Sequence, residues 1–178
     1  MTGMQDIYER ARKVRVAIFD VDGVLTDGAL YYADPGEALK AFSVRDGHGI
    51  RMLRESGVTA AIISGRRSRA LEARARNLGI ELLYQGATDK LAAFDELLAR
   101  CGKDAGACAY VGDDLPDLPV MARCGLAVAV PGAPAPVRRQ AQYVTRARGG
   151  CGAVREACEI ILYAQGPAAA RRIASPGP

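Results

Sequence analysis

The sequence predicts an α/β fold in which a mostly parallel sheet is flanked by helices. Two observations carry that prediction. Short apolar runs rich in β-branched residues alternate with longer segments whose apolar positions recur at helical spacing, the pattern of successive βαβ units. The first of these runs, VRVAIFD (14–20), is apolar almost throughout, as expected of a strand buried on both faces. The layout is Rossmann-like. A length of 178 residues suits one domain with a proper core and leaves little for a second. Residues 1–165 are therefore assigned to a single domain. The tail 166–178, GPAAARRIASPGP from Gly166, has little to bury and is expected to be mobile.

Each element has its own justification along the chain. The N-terminal stretch MTGMQDIYERARKVR carries charges where a secretory signal needs an apolar run. The first strand, 14–20, stops abruptly at Asp20-x-Asp22-Gly23. Residues 29–44, ALYYADPGEALKAFSV, break the alternation: two short strand-like pieces surround the turn signal Asp34-Pro35-Gly36, which reads as a hairpin inserted after the first strand. An isolated hairpin is marginal in water, so its aromatic and aliphatic residues need a surface in their own domain or in another subunit. Further strands are expected at 58–63, 80–83, 108–111, 126–130 and 142–144. Helices are expected at 47–56, 67–77, 89–100, 117–123 and 152–164. In the last helix Ala153, Ala157, Ile160, Ile161 and Ala164 share one face. His48, between Asp46-Gly47 and Gly49, reads as a turn or helix-cap residue.

Composition narrows the function. Charges interrupt every apolar run before membrane-spanning length, so the expectation is a cytoplasmic protein with no membrane partner. The five cysteines (Cys101, Cys108, Cys124, Cys151, Cys158) are odd in number and form no CxxC pair, which reads as buried reduced thiols. Net charge is +4, with 20 Arg against 4 Lys, and GRRSRALEARAR (65–76) holds five arginines. Aromatics are only 6% and Glu72 interrupts the run, so no nucleic-acid partner is expected.

Ligands of such sheets sit outside the carboxyl ends of the strands. The residues at those ends form a compact set: Asp20 and Asp22 after the first strand, Ser64-Gly65-Arg66 after the second, Lys90 beyond YQGATD after the third, and Gly112-Asp113-Asp114 with Asp117 after the fourth. Two aspartates placed together repel, and burial worsens the repulsion, unless a cation or a proton intervenes. Asp20, Asp113 and Asp114 offer hard oxygen ligands for Mg²⁺. With the cation bound, Asp20 is placed to act as a nucleophile on a phosphoryl group. Asp22, near other anions and partly shielded, is expected to hold a proton and act as general acid. Ser64 with the Gly65 amide cradles phosphate oxygens, and Lys90 adds positive charge. Each piece alone has a plainer reading: a surface acid, a helix cap, a solvated lysine. Their joint occurrence at successive strand ends favours catalysis.

Taken together, DVDGVLTDG, ISGR, the isolated lysine and GDDLPDL resemble the motifs of the haloacid dehalogenase superfamily of phosphatases. FSVRDGHGI, LGIELLYQGATDK, AYVGDDLPDLPVM and YVTRARGGCGAVRE extend the resemblance, from about residue 8 to 166, to the family that dephosphorylates 3-deoxy-D-manno-octulosonate 8-phosphate. That resemblance implies a capless fold, an aspartyl-phosphate on Asp20, and Asp22 as acid and then base with its backbone carbonyl on Mg²⁺. It also implies Asp113 as a metal ligand with Asp114 in support, phosphate binding by Ser64 and Lys90, and a homotetramer built through the hairpin with a neighbouring subunit over the site. The tail is associated with closing over the site in such enzymes. Relatives acting on nine-carbon sialic-type acid 9-phosphates tend to carry Glu at the position of Arg66. An arginine there suits the carboxylate of the octulosonate acid and favours the eight-carbon substrate. A receiver-type phosphoacceptor domain is the rival class. It needs an acceptor aspartate at the end of the third strand, where ELLYQGATD offers only Asp89 beyond a long loop.

Overall fold

The computed structural model describes residues 3–34 and 36–166. The expected mobile tail, from 167 onward, lies outside the described residues. Six strands form one parallel sheet: β1 (Val16–Phe19), β4 (Thr59–Ser64), β5 (Leu82–Gln85), β6 (Cys108–Gly112), β7 (Leu126–Ala129) and β8 (Tyr143–Val144). Their spatial order is β5-β4-β1-β6-β7-β8. All four residues of β1 are buried, because parallel strands at the centre of such a sheet are covered on both faces. The hairpin forms a separate antiparallel pair, β2 (Tyr31–Ala33) and β3 (Gly36–Leu39), between β1 and the next helix.

Helices cover the sheet in two groups. α1 (Met4–Lys13), α2 (Val44–Glu55), α3 (Arg69–Leu78) and α7 (Ala153–Ala164) pack against one another. α4 (Lys90–Cys101), α5 (Leu118–Arg123) and α6 (Ala135–Gln140) form the second group. Right-handed crossovers account for the split: the chain moves outward from β1 in one direction through α2 and α3, then in the other through α5 and α6. The crevice between these two directions opens over the carboxyl ends of β4, β1 and β6.

Three departures from the sequence expectation have clear causes. α1 was not expected; Ile7 and Ala11, four residues apart, are buried and give it a narrow apolar stripe against the core. α2 starts at Val44 rather than 47 because Ser43 caps it, its hydroxyl accepting from the Asp46 amide at 3.3 Å. His48 is thereby an exposed residue inside the helix rather than a cap. α6 follows Pro134 and was not expected at all; its six residues are too few to carry a visible period. The cysteines are free, with Cys108, Cys124 and Cys158 buried as expected but Cys151 exposed. No helix among the described residues is long and apolar enough to cross a membrane.

Candidate active site

The sheet brings three of the expected strand ends side by side. Asp20 follows β1 directly and its amide donates to the Val111 carbonyl of β6 at 3.0 Å, so the ladder continues one residue into the site. Ser64 closes β4 on one flank of β1, and Asp113 follows β6 on the other. Asp20 and Ser64 are buried, whereas Gly65 and Arg66 are exposed. The Ser64 hydroxyl accepts from the Arg66 amide at 3.3 Å, which orders the turn beyond the strand.

Lys90 ties these ends together. It is the first residue of α4, whose N-cap Asp89 accepts from the Leu91 and Ala92 amides. The Lys90 ammonium, also buried, donates to Asp20 Oδ1 at 2.7 Å and to Asp117 Oδ1 at 2.6 Å. Asp117 was placed at this strand end but given no role, although it is the most completely engaged carboxylate of the site. It is fully buried and also accepts from the Tyr110 hydroxyl at 2.7 Å and from the Asp113 and Asp114 amides at 2.9 and 3.1 Å. Asp114, expected beside the metal, is instead exposed and caps the short turn Leu115–Asp117. The signal in GDDLPDL was the third aspartate: one helical turn after the strand end, its carboxylate folds back under the first.

The loop carrying Asp22 is held from within. The Gly23 amide, at 3.4 Å, and the Gly28 amide, at 3.2 Å, converge on the buried Thr26 hydroxyl, and the Thr26 amide donates to the Val21 carbonyl. Gly23 has φ +90°, and a Cβ there would stand 2.1 Å from Asp113 Oδ2, so only glycine lets the Asp113 carboxylate lie against this turn. Anions were expected to crowd Asp22. The groups beside its carboxyl are instead cations: Lys40 is hydrogen-bonded to Oδ1, and Arg66 Nε lies 3.9 Å from Oδ2. Arg66 also donates to the Tyr32 hydroxyl of the hairpin at 3.3 Å. Beyond Asp113, an open cleft of about 500 Å³ is lined by Gly23, Asp27, Pro131, Arg148 and Cys151, among others.

The repulsion expected at Asp22 is found at Asp20 and Asp113. Burial, opposed by Lys90 and reinforced by Asp117, raises Asp20 to about 6. Burial and the adjacent Asp20 raise Asp113 to about 8. Burial alone would depress Lys90, but Asp20 and Asp117 outweigh it and hold the ammonium above its ordinary value. At neutral pH the Asp20–Asp113 pair thus calls for a proton or a cation. Asp20, Asp113 and Asp117 offer carboxylate oxygens within 4.8 Å of one another. Asp117 is already saturated by Lys90, Tyr110 and two amides, so Asp20 and Asp113 fit as direct ligands of a hard divalent cation. Asp117 then acts from behind them.

Comparison with known proteins gives a consistent neighbourhood. A family model for haloacid dehalogenase-like hydrolases matches residues 43–125. The 3-deoxy-D-manno-octulosonate 8-phosphate phosphatase of Yersinia pestis is 54% identical over 160 residues, covering 90% of this chain and 86% of that protein. A crystal structure of the phosphatase of that name from Yersinia pestis matches with a TM-score of 0.88, covering 90% of this chain and 86% of that one. The phosphatase of that name from Moraxella catarrhalis, in complex with magnesium, phosphate and KDO, matches at 44% identity with a TM-score of 0.89, covering 92% of this chain and 94% of that one.

Proposed function

The chain belongs to the 3-deoxy-D-manno-octulosonate 8-phosphate phosphatases of the haloacid dehalogenase-like hydrolases, and from that premise we propose that it hydrolyses this sugar phosphate through an aspartyl-phosphate on Asp20. It is a phosphoric monoester hydrolase, and its cofactor is Mg²⁺. The observation that carries the mechanism is the buried Asp20–Lys90–Asp117 chain beside Asp113, at the point where β1 meets β4 and β6.

Asp20 and Asp113, with the Asp22 backbone carbonyl, would hold the cation, whose charge would offset that of the phosphate and let the anionic nucleophile approach. The Asp20 carboxylate attacks phosphorus, forming the O–P bond as the bond to the sugar oxygen breaks. Asp22 gives its proton to that leaving oxygen. Water then attacks the phosphoryl group and passes a proton to Asp22, which releases phosphate and the Asp20 carboxylate. Ser64 and the Gly65 amide bind phosphoryl oxygens. Lys90 fixes the nucleophile and offsets the charge that develops around it. Arg66, exposed at the rim, pairs with the sugar acid's carboxylate, which favours the eight-carbon over the nine-carbon substrate. Asp114 supports the site only through its cap.

Residues 1–165 are taken as one catalytic domain working in the cytoplasm, in the supply of the lipopolysaccharide inner-core sugar, as a homotetramer joined through the hairpin. Asp20→Asn tests the mechanism. The variant should keep the wild-type circular dichroism and melting behaviour while kcat falls by more than about 1000-fold. Turnover near the wild-type rate would rule out Asp20 as the nucleophile.

A further inference from the structure

Asp20 and Asp22 each accept from a buried lysine. Lys90 donates to Oδ1 of Asp20 at 2.7 Å, and Lys40 donates to Oδ1 of Asp22. The Lys40 side chain is only 1% exposed, although its partner's is 22% exposed. Lysine is almost never buried so completely without an anion to hold it. The chain has 4 lysines against 20 arginines, yet lysine occupies both of these places. The choice has a chemical reason: an ammonium is a compact point charge that engages one oxygen, whereas a guanidinium fork takes both oxygens of a carboxylate.

We infer that Lys40, the residue directly after the hairpin, is the positioning residue for Asp22. It pins Oδ1 and leaves Oδ2 as the oxygen that exchanges a proton with the leaving group and later with water. Arg66 Nε at 3.9 Å lies outside hydrogen-bond distance of Oδ2 and does not compete for it. Without the pin the carboxyl rotates about its own side-chain torsions, and its reactive oxygen meets the leaving oxygen in fewer encounters. The same contact stabilises the carboxylate left on Asp22 once the proton has gone. Because the pair joins residues 18 apart, it also closes the segment that holds the hairpin back onto the site. The hairpin thereby acquires a catalytic purpose: its docked position sets the direction in which Asp22 points.

The inference rests on Asp22 as the general acid, and the test separates the two. A sugar phosphate leaves as an alkoxide and needs the proton; acetyl phosphate leaves as acetate and does not. The value of kcat/KM, which reports the first phosphoryl transfer, is measured on both for wild type, Lys40→Met, Asp22→Asn and the double variant, with melting curves for each. Lys40→Met is expected to lose about 30- to 100-fold on the sugar 8-phosphate but no more than about 3-fold on acetyl phosphate. Asp22→Asn should show the same contrast, larger in size, and adding Lys40→Met to it should cost little more on the sugar phosphate. Lys40→Arg, which keeps the charge but can occupy both oxygens, should melt like wild type without restoring the sugar-phosphate rate. Equal losses of Lys40→Met on both substrates, or none on either, would overturn the role of Lys40 while leaving Asp22 intact. An Asp22→Asn variant with no contrast between the substrates would overturn the acid itself.

Discussion

At the scale of single residues the site is a problem of buried charge. Asp20, Asp113 and Asp117 share one pocket with one ammonium, Lys90, hydrogen-bonded to two of them. The balance leaves a surplus of negative charge, and its consequence is measurable. A carboxyl whose folded value is raised contributes stability that is fully present below its unfolded value, near 3.8, and is lost as pH rises through the folded values of about 6 for Asp20 and about 8 for Asp113. The melting temperature of the Mg²⁺-free protein should therefore fall between about pH 5 and about pH 8.5. Added Mg²⁺ should raise it more at the upper end, where no proton competes for the ligands. A Mg²⁺ effect that is equal at both ends, read by scanning fluorimetry, would contradict the assignment of these two aspartates to the cation. The residues visible in the sequence were those at strand ends, because a strand followed by a polar residue announces its own position. Asp117 was visible in GDDLPDL but without a role, and Lys40 was missed, because their ion-pair partners lie 27 and 18 residues away, which no local pattern records.

At the scale of elements, the catalytic loop is braced by a segment from the far end of the chain. The N-terminus of α7 is held across the fold by the buried Asp46 of α2, which accepts from the Gly152 amide at 3.2 Å and the Arg155 amide at 2.8 Å. Glu156, one turn into α7, accepts from the Arg146 and Ala147 amides and from the Tyr143 hydroxyl. These bonds press residues 149–150 onto the first loop: the Gly150 amide donates to the Val24 carbonyl at 3.0 Å, and a Cβ on Gly149 would stand 1.8 Å from the Gly23 carbonyl. Of the stretch GGCG, Gly149 and Gly150 thus answer to close approach, and Gly152 to its φ of +112°. Gly149→Ala should displace the Asp22–Gly23 turn, lowering kcat by at least about tenfold and stability by about 1–3 kcal/mol. Wild-type activity in that variant would mean the brace is not needed. Boundaries of the sheet strands were legible to within about two residues, because uninterrupted apolar runs leave little freedom. The two helices that were missed, α1 and α6, announce themselves weakly: one has a two-residue stripe and the other a single buried valine.

At the scale of the whole molecule, the hairpin carries an apolar surface that the single chain leaves uncovered. Tyr31, Tyr32 and Leu39 are 47%, 64% and 50% exposed, and they flank the site through the contact of Tyr32 with Arg66. An apolar surface of that kind beside a catalytic centre suits a second copy of the chain. Light scattering coupled to size-exclusion chromatography should give four times the 18.8 kDa chain mass, and Tyr32→Glu with Leu39→Glu should shift the peak to smaller species. A monomeric wild type would overturn the tetramer and leave the hairpin to Lys40 alone. The fold class itself was readable from alternation and buried strands, and the substrate was readable through the family resemblance of blocks such as FSVRDGHGI, with Arg66 weighing against the nine-carbon alternative. The substrate is decided most directly by kcat/KM with Mg²⁺ for 3-deoxy-D-manno-octulosonate 8-phosphate against a nine-carbon sialic-type acid 9-phosphate. The expected result is a preference of at least about 100-fold for the eight-carbon substrate; equal rates, or a preference for the nine-carbon one, would contradict it.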